Sequence, residues 1–300
     1  MVNIMKTYLD CIPCFFRQVI DAGRMAGLDD KQQKKVVDKF ASILPELSLD
    51  MSPPEIARLT NKLLQKTAKS KDLYAKIKQK SNQIGLRMYE KLKQKVEASK
   101  DQLLAAVEIA IIGNIIDYGA KNHLDLDKEL DRMLRKEKQL IKKEKKRIFN
   151  YKQFKEQLSR AKTILYLADN AGETVFDRVL IEQIKRIDPN KIIIYAVKDK
   201  PVINDALLED ALICGIDKQA EIISSGSDAP GTVLALCSKK FLDVYNKADM
   251  IISKGQGNFE ALAAVNKRLI FFLFMVKCAV VAENVDCKIG DITLLFNSGD

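Results

Sequence analysis

The sequence predicts an α/β protein: an α-helical N-terminal domain over residues 1–155, then a three-layer α/β/α, Rossmann-like domain over residues 156–300 with a doubly wound, mainly parallel sheet. Three observations lead there. Before Lys155, apolar residues recur at three- and four-residue spacing; after it, short runs of Ile, Leu and Val alternate with helical segments. The 300 residues, 47% of them hydrophobic, suffice for a full core and exclude a disordered or low-complexity chain.

In the first half, the helical stripes are Phe15, Val19, Ala22 and Met25; Val36, Phe40, Ile43 and Leu44; Ile56, Leu59 and Leu63; Leu73 and Ile77; and Ile84, Met88, Leu92 and Val96. Gly27 with Asp29 and Asp30, and Pro45 after Leu44, punctuate them. Ser52-Pro53-Pro54 before Glu55 is a helix start, because Pro suits the first helical turn. Residues 103–118 are apolar on most sides and read as a buried helix. The run KELDRMLRKEKQLIKKEKKRIFNYKQ alternates acids and bases and reads as a solvated helix face.

In the second half, strands are expected at 163–168, 191–197, 221–224, 250–253, 268–275 and 292–296. Helices are expected between them at 175–186, 203–214, 232–245 and 259–265. Continuous apolar strands separated by helices imply a sheet buried on both faces, with right-handed crossovers.

Composition narrows the function classes. The longest apolar run, 269–276, falls far short of the roughly 20 residues a membrane helix needs, so no membrane partner is expected. The first residues lack the apolar core of an export signal, and the expected location is cytoplasmic. Fifty basic against 40 acidic residues give a net charge of +10, which could attract nucleic acid, membrane lipid or a phosphorylated metabolite and does not choose among them; taken with the candidate site below, a phosphorylated small molecule is expected and no nucleic acid. Six scattered cysteines are expected as thiols. Only Cys11 and Cys14 have ligand-like spacing, and no second CxxC or paired His completes a zinc site.

The chemistry lies just beyond the end of each strand, where ligands bind in such sheets. Asp169, Asn170 and Glu173 come after the first; Asn204 and Asp205 lie beyond the second; a Ser/Gly turn at 225–231 succeeds the third. Lys254, Gly257, Asn258, Phe259 and Glu260 come with the fourth, and Lys277 and Cys278 with the fifth. Asp169, Asn170 and Asp205 offer two carboxylates and an amide oxygen, hard ligands suited to Mg²⁺ or Mn²⁺. Glycine turns let backbone amides approach an anion, and Lys254 and Lys277 could neutralise phosphate charge. The lone His123 is read as a helix-terminal or surface residue, so an activated water is preferred over a covalent route, with Asp169, Asp205 and Lys254 as catalytic candidates.

Each residue also has a plainer reading. Asp169, Asn170 and Asn204 could cap helices, and Glu173 could serve a first-turn dipole. Phe259 could pack or stack on a base, and Cys278 could be a small buried hydrophobe. Cys11 and Cys14 share a helical turn and could touch a metal, form a redox pair or pack. Asn114 and Asp117, three apart, share a helix face.

The strings DNAGE (Asp169 to Glu173), ND (Asn204, Asp205), KGQGNFE (Lys254 to Glu260) and KC (Lys277, Cys278) resemble the damage-control phosphatases. CIPC (Cys11 to Cys14) and GNIID (Gly113 to Asp117) resemble their archaeal and bacterial subfamily I. The resemblance runs from Cys11 to the end, with no departure at the motif positions. It implies a metal-dependent phosphatase for sugar phosphates, or for damaged purine nucleotides and their biosynthetic intermediates. It also implies metal ligands at Asp169, Asn170 and Asp205, with Mn²⁺, Ni²⁺, Co²⁺ or Mg²⁺ as the ion. Substrate contacts would fall on Glu173, Lys254, Gly257, Asn258, Phe259, Glu260, Lys277 and Cys278.

Two other functions fit parts of the sequence. An S-adenosylmethionine-dependent methyltransferase would use DNAGET as its first turn and Asp199 as a ribose contact, but the turn lacks a G-x-G pattern. A non-catalytic nucleotide or RNA binder would need aromatic platforms in the basic run, which holds only Phe149, Tyr151 and Phe154 near its end.

Overall fold

A computed structural model describes residues 6–113, 145–264 and 268–299. Asn114, Asp117, His123 and most of the Lys/Glu-rich run lie outside the described residues. The first half forms α1 (Cys11–Met25), α2 (Asp30–Ile43), α3 (Pro53–Ala68), α4 (Ala75–Glu97) and α5 (Gln102–Ile112). Their starts are set by the cap residues. Asp29 and Gln32 exchange hydrogen bonds at the head of α2, Ser52 and Glu55 close a capping box on α3, and Asp101 accepts from Leu104 N at α5.

A further helix, α6 (Tyr151–Arg160), leads into the sheet. The strands are β1 (Thr163–Leu167), β2 (Ile192–Val197), β3 (Glu221–Ser224), β4 (Met250–Lys254), β5 (Ile270–Met275) and β6 (Ile292–Asn297). Their order is β3-β2-β1-β4-β5-β6, parallel throughout except for β6, which runs antiparallel to β5. The remaining helices are α7 (Glu173–Ile187), α8 (Leu208–Ile213), α9 (Lys239–Lys247), α10 (Gln256–Leu262) and α11 (Ala279–Asn284).

Alternation along the strands divides the side chains between two cores. Ile164, Tyr166, Ile193, Tyr195, Ile252 and Phe271 pack with residues of α4–α7 on one face. Leu165, Leu167, Ile251, Phe272 and Phe274 pack with α9–α11 on the other. Helices α1–α3 build their own core around Phe15, Val36, Phe40, Ile56 and Leu64. The chain order reverses between β1 and β4, so a crevice opens beyond their carboxyl ends. α3 lies over this rim: Arg58 and Lys62 pair with Asp228, and Gln65 Nε2 donates to Pro201 O at 2.9 Å. Among the described residues no helix is long and apolar enough to cross a membrane.

Three helix expectations change. The one over 203–214 shrinks to α8, because residues 204–206 are captured by the loop after β1 instead of winding. Ala171 N donates to Asn204 O, Ala206 N donates to Asp169 O, both at 2.9 Å, and Ile203 takes φ +38° to make the turn. Asn204 is therefore not a helix cap. The helix over 232–245 begins only at Lys239, where Ser238 accepts from Phe241 N, after a single 3₁₀ turn at Leu234–Leu236. The helix expected from Phe259 begins at Gln256, directly behind Gly255.

α4 and α7 pack very closely. A Cβ on Gly85 would come within 2.8 Å of Gly172 O and 3.0 Å of Val175. Alanine is favoured over glycine in a helix by about 1 kcal/mol, but a clash with fixed backbone costs about 1–3 kcal/mol. Gly85→Ala is expected to lower the denaturant midpoint, and a midpoint at or above that of the parent chain counts against this packing.

Candidate active site

Asp169 and Asn170 emerge at the end of β1. An isolated antiparallel bridge pairs Asn170 with Asp205, residues 35 positions apart in sequence. Directly opposed side chains on such a bridge start about 5 Å apart, so the bridge brings Asp169, Asn170 and Asp205 to one spot. All three are buried. None of them caps α7: its N-cap is Gly172, whose φ of +83° makes the sharp turn.

The network behind these residues orients them. Asn170 Nδ2 donates to Glu173 Oε1 at 2.9 Å and to Asp169 Oδ2 at 3.1 Å, which directs Oδ1 of the amide to the opposite side. Glu173 is one turn before Asp177 on α7, and Lys254 Nζ lies 3.4 Å from the former and 2.6 Å from the latter. The hydroxyls of Tyr166 and Tyr195 each donate to Asp177 at 2.8 Å, and their rings stack at 5.3 Å. Burial and the Asp177 charge push both phenols well above their ordinary pKa, so they remain donors. Burial opposes the charge on Lys254, but Asp177 and Glu173 outweigh it and hold its pKa above the usual lysine value.

Lys198, at the end of β2, faces Asp205 at 3.6 Å and donates to Gly231 O at 2.5 Å. Asn258 ties the scaffold together. Its amide nitrogen donates to Ala168 O at 3.0 Å and Lys254 O at 2.7 Å, and its oxygen accepts from Thr232 at 2.8 Å. Gly231 nests against Gly257, where a Cβ on Gly231 would collide with the carbonyl oxygen.

Of the two readings of Phe259, packing or stacking on a base, its ring has the surroundings of a core residue. It is fully buried between Phe272, at 5.3 Å edge-on, and Phe274, stacked at 4.9 Å, with no face left for a ligand. Further along the rim, Gln256 Nε2 donates to Glu260 at 2.7 Å and lies 3.6 Å from Cys278 Sγ. Burial pushes Glu260 up to about 7, against the pull of its Gln256 hydrogen bond and of Lys277. Cys11, half-buried on the first turn of α1, has its pKa raised by burial, and Glu260, Cys278 and Cys14 are near enough to add to that effect. Cys14 is exposed.

The acidic groups are crowded. Asp169, Glu173, Asp177 and Asp205 are buried beside two buried ammonium groups, Lys198 and Lys254. Burial and then the Glu173 charge push Asp169 well above the usual carboxyl range, and Lys277 only partly offsets this. Burial raises Asp205 to about 6 despite Lys198. Among the described residues Asp205 Oδ2 accepts no hydrogen bond: Lys198 Nζ at 3.6 Å gives it charge but not a bond. An orphaned, buried carboxylate oxygen beside a second carboxylate and an amide fits a hard divalent cation. Among the described residues no group of three or more His, Cys, Asp or Glu is disposed to hold an ion, so the fitting set needs the Asn170 amide. Gly255 admits the close approach: a Cβ there, at φ +82°, would collide with Asp169 Oδ2.

Sequence reasoning singled out neither Lys198 nor Asp177. Lys198 comes immediately after β2, the same position that marked the other candidates. Asp177, four residues after Glu173, is an acid inside the apolar stripe of α7.

Comparison with known proteins yields consistent matches. The family model "Damage-control phosphatase ARMT1-like domain" matches residues 7–293. A damage-control phosphatase of Pyrococcus horikoshii is 35% identical over 98% of this chain and 99% of its own, and one of Archaeoglobus fulgidus is 30% identical over 96% and 98%. The crystal structure of a DUF89 family protein from Pyrococcus horikoshii superposes with a TM-score of 0.86 at 32% identity, covering 98% of this chain and 100% of that one.

Asp205 also sets a pH dependence. Its pKa is about 6 in the folded, ion-free protein, against about 3.9 in an unfolded chain. The folded state holds the extra proton between those values, so stability from this group is present below about pH 4 and declines as pH rises to about 6. Asp205→Asn has no such proton. The melting temperature of the parent relative to this variant, by calorimetry with chelator, should fall between about pH 4.5 and 6.5; a constant difference contradicts the assignment.

Proposed function

The chain belongs to the damage-control phosphatase ARMT1-like family, and from that premise we propose that it is a metal-dependent phosphatase acting on phosphate esters of small metabolites. The observation that supports the metal dependence is the Asn170–Asp205 bridge, which sets Asp205 opposite Asn170 and near enough to Asp169 for their charges to couple, with one Asp205 oxygen left without a hydrogen bond among the described residues. Asp169, Asn170 and Asp205 would hold the ion, with Mn²⁺, Ni²⁺, Co²⁺ and Mg²⁺ as candidates. When bound, the ion supplies Lewis acidity to a phosphoryl oxygen and lowers the pKa of a water.

The chain's own residues supply the rest. Asp177 and Glu173 hold Lys254 as an ammonium ion, so a positive charge stays in the crevice at every physiological pH. Glu173 fixes the rotamer of Asn170. Lys277, exposed at the end of β5 and within reach of Asp169, meets the incoming phosphate from the open side. The turn at 225–231, with left-handed Gly226 and Gly231, borders the same crevice, and the Gly231 amide supports Asp205 there. α3 covers the rim and, with Arg58 and Lys62, adds positive charge where the ester's organic part would emerge. Sugar phosphates, and damaged purine nucleotides or their biosynthetic intermediates, are the proposed substrate classes. All six cysteines are free thiols, in keeping with a cytoplasmic setting.

The protein stripped with chelator and reloaded with Mn²⁺ should release inorganic phosphate from a panel of sugar phosphates and nucleotides. Asp205→Ala should reduce that release by about 100-fold or more. Ion-independent turnover, untouched by Asp205→Ala, would remove the reading. Lys254→Met should also abolish turnover, and it should lower stability by about 3–5 kcal/mol because Asp177 is left buried and uncompensated. A variant as stable as the parent chain would refute the pairing.

A further inference from the structure

Two loops carry the proposed ion ligands, 169–172 after β1 and 204–207 before α8, and one pair of buried side chains grips both. Gly172 N donates to Asn82 Oδ1 at 2.7 Å. Asn82 Nδ2 donates in turn to Asp210 Oδ1 at 2.7 Å, and the other oxygen of Asp210 accepts from Leu207 N at 2.9 Å. Asn82 is 3% and Asp210 4% exposed, so these bonds have no competition from solvent. Lys78, one turn before Asn82 on α4, lies 3.7 Å from Asp210 and 2.7 Å from Asp72, which balances the buried charge.

The surface of α4 is shaped to the same purpose. A Cβ on Gly172 would lie 2.7 Å from Ser81 Cβ, and one on Gly85 would lie 2.8 Å from Gly172 O. Small residues one turn apart therefore form a notch that seats the Gly172 turn, and Asn82 pins its amide within the notch. Neither Asn82 nor Asp210 is among the proposed ligands, and both lie behind the loops.

We infer that Asn82 and Asp210 are positioning residues that fix the two ligand-bearing loops relative to one another, and that this pair sets the site's affinity for its cation. The inference rests on the ion-binding reading above. It assigns a role to α4, a helix about 90 residues upstream of the site, that no motif suggested. Residues holding a metal-binding group in place typically change ion affinity or activity by about 10–100-fold when altered.

The test uses an exchange of chemistry within the pair. Asn82→Asp alone sets two carboxylates against each other and breaks their bond. Combining it with Asp210→Asn restores all three hydrogen bonds, with donor and acceptor reversed only in the bond between the two side chains, and leaves the charge one turn from Lys78 on α4. Calorimetric titration with Mn²⁺ and hydrogen exchange of segments 169–173 and 204–207 are measured on the full chain in each form. Asn82→Asp is expected to weaken Mn²⁺ binding by about 10–100-fold and to speed exchange in both segments, and the double variant to recover both. Tyr89→Phe, which removes from α4 a hydroxyl bonded to Glu182 of α7, is expected to change stability but not ion affinity.

Unchanged ion affinity together with unchanged exchange in Asn82→Asp overturns the inference, as does a double variant no better than the single. If Asn82→Asp does not fold, Asn82→Ala is measured in the same way against the same criteria. If the parent chain binds no Mn²⁺, the phosphatase reading fails on its own account. Exchange then decides the clamp: faster exchange in both loops on breaking the pair supports it, and unaltered exchange overturns it.

Discussion

Acidic crowding at the carboxyl ends of β1 and β4 is the constraint to which the rest of the molecule answers. Asp169, Glu173, Asp177 and Asp205 are taken out of water together, and each ionised carboxylate raises the cost of ionising the next. Lys254 and Lys198 compensate only part of that charge. Tyr166 and Tyr195, neighbours in the β1–β2 register, turn their hydroxyls to Asp177 and keep it satisfied from below. The remaining imbalance falls at Asp169 and Asp205, where among the described residues Asp205 keeps an oxygen without a hydrogen bond. A divalent cation there would relieve the crowding that the fold creates.

The helical half then has a task beyond covering the core. α4 and α5 pack on α7 and share the core on one face of the sheet. α3 crosses the rim on the other side of the crevice, with Arg58 and Lys62 on Asp228 and Gln65 on the Pro201 carbonyl. Loops that would otherwise be open turns beyond strand ends are held from behind by α4 and from above by α3. A site that must maintain donor positions against mutual repulsion needs such bracing.

Much of the architecture was legible because a strand in a parallel sheet is buried on both faces and so appears as an unbroken apolar run. Residues such as 250–254 and 270–275 could be placed on that ground. Asp169, Asn170 and Asp205 were legible as polar residues immediately beyond those runs. The helix expected at 203–214 starts too early because Ile203, Leu207 and Ala211 have helical spacing, whereas the backbone of 204–206 is taken up by the loop after β1. Phe259 drew attention through its motif, yet its ring completes the packing with Phe272 and Phe274. Asp177 and Asn82 passed unnoticed because their importance lies in partners 77 and 90 residues away.

By itself the sequence determined the α/β class, the alternation of strand and helix, the family likeness and the chemical types that gather at the strand ends. These depend on periodicity and on residues next to one another in the chain, where burial pattern and turn chemistry act locally. Tertiary structure alone decided which carboxylates share a charge, that Lys254 faces Asp177 rather than solvent, and that α4 seats the Gly172 turn. Those outcomes depend on distances across the fold, and both Coulomb interaction and hydrogen bonding vary over ångströms that no spacing in the chain encodes.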